Sequence, residues 1–268
     1  MKIAIIGGGN MGGATAWGLY RSHFVKPADI RICDLNEAKL KPFREVGMKT
    51  FNDASTAVDG ADVVSLFVKP WLVKSVIESI RPILDSSRQT LVVVAAGVKS
   101  SDIVDWLTLS DESVYDGDFV LPPLFLAIPN IAIAQLSSMT FLVPIDTSDE
   151  KTAQVKAMFD AMGQTLLVEE CMLAAGTMLA SCGLAYAMRY VRASAEGGVE
   201  LGFYPNQARD IVLQTVKGAV ELLQTSGEHP ETAIDKVTTP GGVTIKGLNE
   251  MENAGFTGAV IRGLKAGM

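Results

Sequence analysis

The chain has 268 residues, 48% hydrophobic and 20% charged, enough apolar material for a sizeable core, which excludes a disordered or fibrous protein. Its 23 Lys and Arg against 30 Asp and Glu give a formal net charge of -7, so it lacks the basic footprint of a nucleic-acid binder, and a small molecule is the expected partner. Three cysteines with no CxxC pair and only two histidines argue against a metal site and suit free thiols in the cytoplasm.

Met1–Gly7 is too short an apolar run for a secretory signal. The spacing predicts a strand at Lys2–Ile6, then Gly7-Gly8-Gly9-Asn10-Met11-Gly12, then a helix over Met11–Ser22. In that context Gly7 permits a tight turn, Gly9 lets backbone N–H groups approach a pyrophosphate, and Gly12 lets the helix pack close to the sheet. Gly7, Gly9, Asn10, Met11 and Gly12 are therefore read as a dinucleotide cradle at a helix N-terminus.

The second strand, Ile30–Asp34, ends on a carboxylate about 20 positions past the glycines, where an acidic side chain meets the adenosine ribose hydroxyls. Asp34 favours NADH, while the neighbouring Asn36 and Lys39 keep NADPH open. The other reading of Asp34 is the N-cap of a helix over Glu37–Val46, which Pro42 should make begin late or kink. Strands at Val63–Val68 and Thr90–Ala95 run into Val68-Lys69-Pro70 and Ala95-Ala96-Gly97-Val98. These loops lie at the carboxyl edge, where open α/β sheets bind ligands. Val68, Lys69, Pro70, Ala96 and Gly97 are accordingly read as flanking the nicotinamide half, with Lys69 equally well a surface residue.

Helices at Trp71–Ile80, Ser101–Leu107 and Asp149–Met162 and strands at Val120–Ala127, Thr140–Pro144 and Thr165–Val168 complete a Rossmann-type α/β domain with a parallel sheet, residues 1–168. From about Glu170 helical periodicity takes over, as in Ala208–Leu223, so residues 169–268 form an all-α second domain. Two uncharged stretches stand out, 119–145 and Cys171–Met188. Four prolines argue against a lipid-spanning helix in the first. The second is read as a buried helix, either central to the monomer or at the core of a two-fold dimer. Cys171 and Cys182, with no histidine nearby in sequence, read as core residues.

These motifs resemble the pyrroline-5-carboxylate reductase family over nearly the whole chain. The resemblance rests on Ile5–Gly12, Val68-Lys69-Pro70, Ala95–Val98, Ile128-Pro129-Asn130, Ala185-Tyr186, Gln214-Thr215, His229-Pro230 and, most specifically, Thr239-Pro240-Gly241-Gly242-Val243-Thr244. It implies NAD(P)H-dependent reduction of the cyclic imine 1-pyrroline-5-carboxylate to L-proline, an α-helical dimerisation domain, and a homodimer that often assembles further. It also implies that Gly241, Gly242, Val243 and Thr244 bind the substrate carboxylate, with Thr244 beside the ring nitrogen as the catalytic contact. Asn130 falls among the cofactor contacts.

The chain departs from the family pattern at Leu126, where an arginine is usual, at Ile131-Ala132-Ile133, and at Leu184, where a proline is usual. Those departures keep two other readings open: a paralogue reducing a different cyclic imine, and a non-catalytic NAD(P)-binding sensor. A β-hydroxyacid dehydrogenase would want a lysine on the cleft helix, and Cys171–Met188 has none.

Overall fold

Ile3-Ala4-Ile5-Ile6, Val63-Val64-Ser65-Leu66, Thr90-Leu91-Val92-Val93 and Leu124-Phe125-Leu126-Ala127-Ile128 are almost continuously apolar, as strands covered on both faces must be. The computed structural model describes residues 1–108 and 120–268; Phe119, first residue of the uncharged stretch 119–145, lies outside them. In it these segments are the buried centre of one eight-stranded sheet. The strands are β1 (Ile3–Ile6), β2 (Ile30–Cys33), β3 (Lys49–Phe51), β4 (Val63–Leu66), β5 (Thr90–Val93), β6 (Leu124–Ile128), β7 (Ser138–Ile145) and β8 (Gly163–Leu167), in the order β3-β2-β1-β4-β5-β6-β7-β8. Helices α1 (Asn10–Ser22), α2 (Glu37–Glu45), α3 (Ala54–Val58), α4 (Val73–Ile80), α5 (Ser100–Thr108) and α6 (Asp149–Asp160) belong to the same unit.

Side chains alternate between two cores. Ile3, Ile5, Ile32, Val92 and Phe125 join Leu19, Leu40 and Phe159 in one. Ala4, Ile6, Val64, Leu91, Val93 and Leu126 join Ile77, Ile80 and Leu107 in the other. This is the two-residue period of a strand feeding a helical layer on each face.

The sequence predicts a parallel sheet, but one pairing breaks that pattern. β7 runs antiparallel to β6, with Leu126 opposite Val143. The two are joined by a short connection built on one 3-10 turn, Ile131–Gln135, and a parallel return would need a crossover of a dozen residues or more. Two elements, β3 and α3, are too short to show periodicity and were not anticipated. Pro42 neither delays nor breaks α2, which begins at Glu37, where the Asn36 side chain caps it by accepting from Ala38 N at 3.0 Å.

A second unit, Cys182–Met268, holds α8 (Gly183–Glu200), α9 (Pro205–Ser226), α10 (Pro230–Lys236), α11 (Val243–Asn253) and α12 (Phe256–Lys265). The first unit, Met1–Ser181, runs on past the last strand through α7 (Leu173–Gly176). Packing therefore divides the chain later than the change of element type at 168/169. Among the second unit's described residues only Ala208 is buried, while Met188, Leu222, Val243 and Val260 are exposed. Glu170–Glu200 is one helical run long and apolar enough to cross a membrane by length and composition, and only 6% of its most apolar window is buried. A helix central to the monomer is thus not what forms. Cys171 is exposed and Cys182 half-buried, so neither is the core residue expected.

Two predictions follow from this packing. Gly163 has φ +149, and a Cβ there would lie 2.1 Å from the Ser138 carbonyl oxygen, so Gly163→Ala should destabilise by about 3 kcal/mol and lower Tm by roughly 6–12 °C. Burial, then the carboxylates of Asp53 and Asp34, push the Cys33 thiol up to about 11. At pH 8 only about one Cys33 in a thousand is thiolate, so a thiol-alkylating reagent should spare it in the native protein and label it after denaturation.

Candidate functional site

Because β1 to β6 run in parallel, the turns after β1, β2, β4, β5 and β6 all open at one edge of the sheet, with the order reversing between β1 and β4. The Gly7–Gly12 turn sits at that reversal. Gly7 takes φ +110, its N–H donates to Cys33 O at 2.8 Å, and any Cβ would strike Phe67 O at 2.4 Å. At Gly12 a Cβ would come within 1.9 Å of Gly7 O. Gly9 is different: nothing lies within 4 Å of where its Cβ would be, and no side chain caps α1 there. The turn is closed against the sheet at its two ends and open in the middle, with Asn10 exposed and Met11 half-buried beside it. Open space facing uncapped N–H groups is what an anion needs at a helix N-terminus.

Asp34 stands next to this opening, its side chain 12% exposed. Its carboxylate accepts from Gly8 N at 2.9 Å, from Asn36 N at 2.9 Å and from Lys39 Nζ at 3.1 Å. The helix after it is capped by Asn36 instead, which removes the N-cap reading of Asp34. Gly8 and Asn52, whose side chain donates to Asp34 O at 3.2 Å, are parts of this corner that motif reading overlooked, while Lys39, read beside Asp34 from the sequence, pairs with its carboxylate. For Gly8 the signal was the unexplained middle glycine of the triplet: a Cβ there would sit 3.1 Å from Asp34 Cβ.

Val68 and Pro70 are half-buried and Lys69 is exposed, its carbonyl accepting from Leu72 N at 2.8 Å to start a 3-10 turn. Ala96 and Gly97 are exposed at the end of β5. Asn130, at the end of β6, is 6% exposed and has both ends of its amide occupied by protein groups: Oδ1 accepts from Ala132 N at 3.0 Å, and Nδ2 donates to Ala180 O at 3.2 Å. Leu126 lies inside β6 at 2% exposure and Ile133 is fully buried, so the apolar departures at these two positions fill the core.

The second unit carries the Thr239–Thr244 turn. Gly241 takes φ +73, and Gly242 is the N-cap of α11 without any side-chain cap. Gly242 N donates to Thr239 O at 2.9 Å, so that donor is already used. The N–H groups left facing outward are those of the first helical turn, Val243, Thr244 and Ile245, where Val243 and Thr244 are exposed. Upstream, His229 caps α10, its Nδ1 accepting from Glu231 N at 3.3 Å. The Tyr186 hydroxyl donates to Gly263 O at 3.3 Å and so ties α8 to α12.

Residues 170–268 match the family described as pyrroline-5-carboxylate reductase dimerisation, and residues 2–97 match NADP oxidoreductase, coenzyme F420-dependent. Pyrroline-5-carboxylate reductase 1 of Dictyostelium discoideum is 34% identical over 98% of this chain, which spans about half of that relative, 48%. Pyrroline-5-carboxylate reductase 2 of the same organism is 31% identical over 98% of this chain and 89% of its own. The Glycine max pyrroline-5-carboxylate reductase is 32% identical over 98% and 92%. Among solved structures, a pyrroline-5-carboxylate reductase from Coxiella burnetii superposes with TM-score 0.86 at 26% identity, covering 99% of this chain and 95% of its own. The Plasmodium falciparum pyrroline carboxylate reductase with NADP bound shares the fold, with TM-score 0.85 at 20% identity, over 100% and 95%. With relatives above 30% identity along nearly its whole length, this chain belongs to the pyrroline-5-carboxylate reductase family.

Proposed function

We propose that the chain reduces 1-pyrroline-5-carboxylate to L-proline, the last step of proline biosynthesis, by NAD(P)H-dependent hydride transfer to the C=N carbon. The observation that carries this reading is family identity running through both units, joined to two open helix N-termini suited to a pyrophosphate and a carboxylate. The dinucleotide, when bound, supplies the hydride from its dihydronicotinamide ring. Gly7, Gly9, Asn10, Met11 and Gly12 cradle its pyrophosphate, Asp34 faces the adenosine ribose, and Val68, Lys69, Pro70, Ala96 and Gly97 border the nicotinamide half.

The Gly241–Thr244 turn holds the substrate carboxylate through the outward N–H groups that begin α11. The Thr244 hydroxyl donates to the ring nitrogen as it becomes an amine. A cyclic imine is basic enough to arrive as an iminium, so the protein's task is orientation more than acid catalysis. Of the departures from the family pattern, Leu126 and Ile133 are core, whereas Ile131 is exposed and Leu184 half-buried, so turnover itself is what separates this reading from a sensor.

On this reading residues 1–168 serve the cofactor and 169–268 serve dimerisation and substrate. A second copy covers the apolar surface of the helical unit, giving a homodimer with room to assemble further. On this reading the protein works in the reducing cytoplasm, which its three free cysteines suit.

Initial rates with NADH and NADPH are expected to show turnover of 1-pyrroline-5-carboxylate well above pyrroline-2-carboxylate and a no-substrate control. Dinucleotide binding without turnover of any cyclic imine would refute the assignment. Thr244→Ala should lower kcat/KM about 10- to 100-fold, the worth of one hydrogen bond in the transition state. Asp34 disfavours a 2′-phosphate by charge, so NADH is the better cofactor; Asp34→Asn should raise the NADPH/NADH ratio of kcat/KM about tenfold, and Lys39→Met should lower it.

A further inference from the structure

Within the helical run after β8, residues Thr177–Cys182 form a π-helical turn between α7 and α8. Such turns hold one residue more than an α-turn and cluster at functional sites. This one is pinned to the strands beneath it. Gly176, just before it, lies against Phe141, whose ring would be 2.8 Å from a Cβ at that position. Asn130 Nδ2 donates to Ala180 O at 3.2 Å, and Ser181 Oγ donates to Pro129 O at 3.4 Å.

Asn130 is the end of a buried polar chain. Thr140 Oγ1 and Ser138 Oγ are 3.2 Å apart, Ser138 Oγ accepts from Asn130 N at 3.1 Å, and the Asn130 side chain carries the chain on to Ala180. Ser138, Thr140 and Asn130 are all buried. A polar chain in a core this apolar specifies one geometry where side chains of similar volume would merely fill space. It connects the carboxyl end of β6 to the residues where the chain leaves the first compact unit, at Ser181/Cys182.

We propose that Asn130 is a positioning residue rather than a cofactor ligand: its amide holds the π-turn Thr177–Cys182 at the end of β6. This rests on the reductase reading for its functional consequence. The amide oxygen caps the Ile131–Gln135 turn while the amide nitrogen ties down the π-turn, and only a side chain with an acceptor and a donor at this reach does both.

The test is Asn130→Ser, whose short hydroxyl can still accept from Ala132 N but cannot reach Ala180. Three quantities are measured: amide hydrogen exchange by mass spectrometry, NADH Kd by fluorescence, and kcat and KM with 1-pyrroline-5-carboxylate. The expected result is exchange at least tenfold faster in residues 177–185 with the β1–β5 peptides unchanged, kcat lowered at least tenfold, and NADH Kd within twofold of the original. A raised Kd with kcat unchanged at saturating NADH would make Asn130 a direct cofactor ligand and overturn the proposal. So would unaltered exchange in 177–185, or a lowered Tm with kcat, KM and Kd all unchanged. If the unsubstituted protein turns over no cyclic imine, the reductase reading fails and the catalytic consequence with it, while the exchange arm still decides whether Asn130 holds the turn. Should Asn130→Ser fail to fold, Ser181→Ala removes the weaker tie and is expected to move exchange and kcat the same way by a smaller factor.

Discussion

The carboxyl edge of the sheet depends on how closely two backbones meet where β1 turns into α1. A Cβ on Gly12 would fall 1.9 Å from the Gly7 carbonyl oxygen, and one on Gly7 would fall 2.4 Å from that of Phe67. Helix, strand and the neighbouring β4 are therefore in contact without side chains between them. That closeness brings the first turn of α1, with its uncapped N–H groups, over the point where the strand order reverses. It also brings Gly8 within hydrogen-bond reach of Asp34, so the residue proposed to face the ribose is positioned by the same turn that is proposed to cradle the pyrophosphate.

The two units solve the burial problem differently. The first encloses its apolar residues in two layers, one on each face of the sheet. The second does not, burying only Ala208 among its described residues and leaving Met188, Leu222 and Val260 in the open. A helical unit with so little interior gains stability when its surface is covered, in keeping with its match to a dimerisation family.

Much of this was legible in the sequence, and the misses have physical causes. The glycine turn and the strands on either side of it could be read because a fully buried parallel strand must be apolar throughout and a close turn must lack side chains. β3 and α3 could not, since three to five residues carry no period. The reversal at β7 was hidden because the same apolar run suits either direction, and only the length of the connection decides. Asp34 and Asn36 were both chemically able to cap α2; the choice went to Asn36 because the Asp34 carboxylate is held by Gly8 and Lys39, a tertiary contact. At Gly242 the motif is legible in the sequence, but that its N–H donates to Thr239 O is a contact only the fold makes.

The amino-acid sequence by itself determined the class of fold, the place of the cofactor turn and the family, because each rests on local rules: periodicity, glycine where atoms must touch, and motif order along the chain. The tertiary structure decided what each polar group has left to offer. Asn130 looked like a ligand in the motif, and its amide bonds Ala180 O and Ala132 N; Leu126 looked like an altered site and is core; and the helical run 170–200, apolar enough to lie at the centre of a monomer, is left uncovered. Hydrogen-bond donors and apolar faces are finite. Which neighbour claims each of them depends on distances between residues far apart in the chain, and those exist only once it has folded.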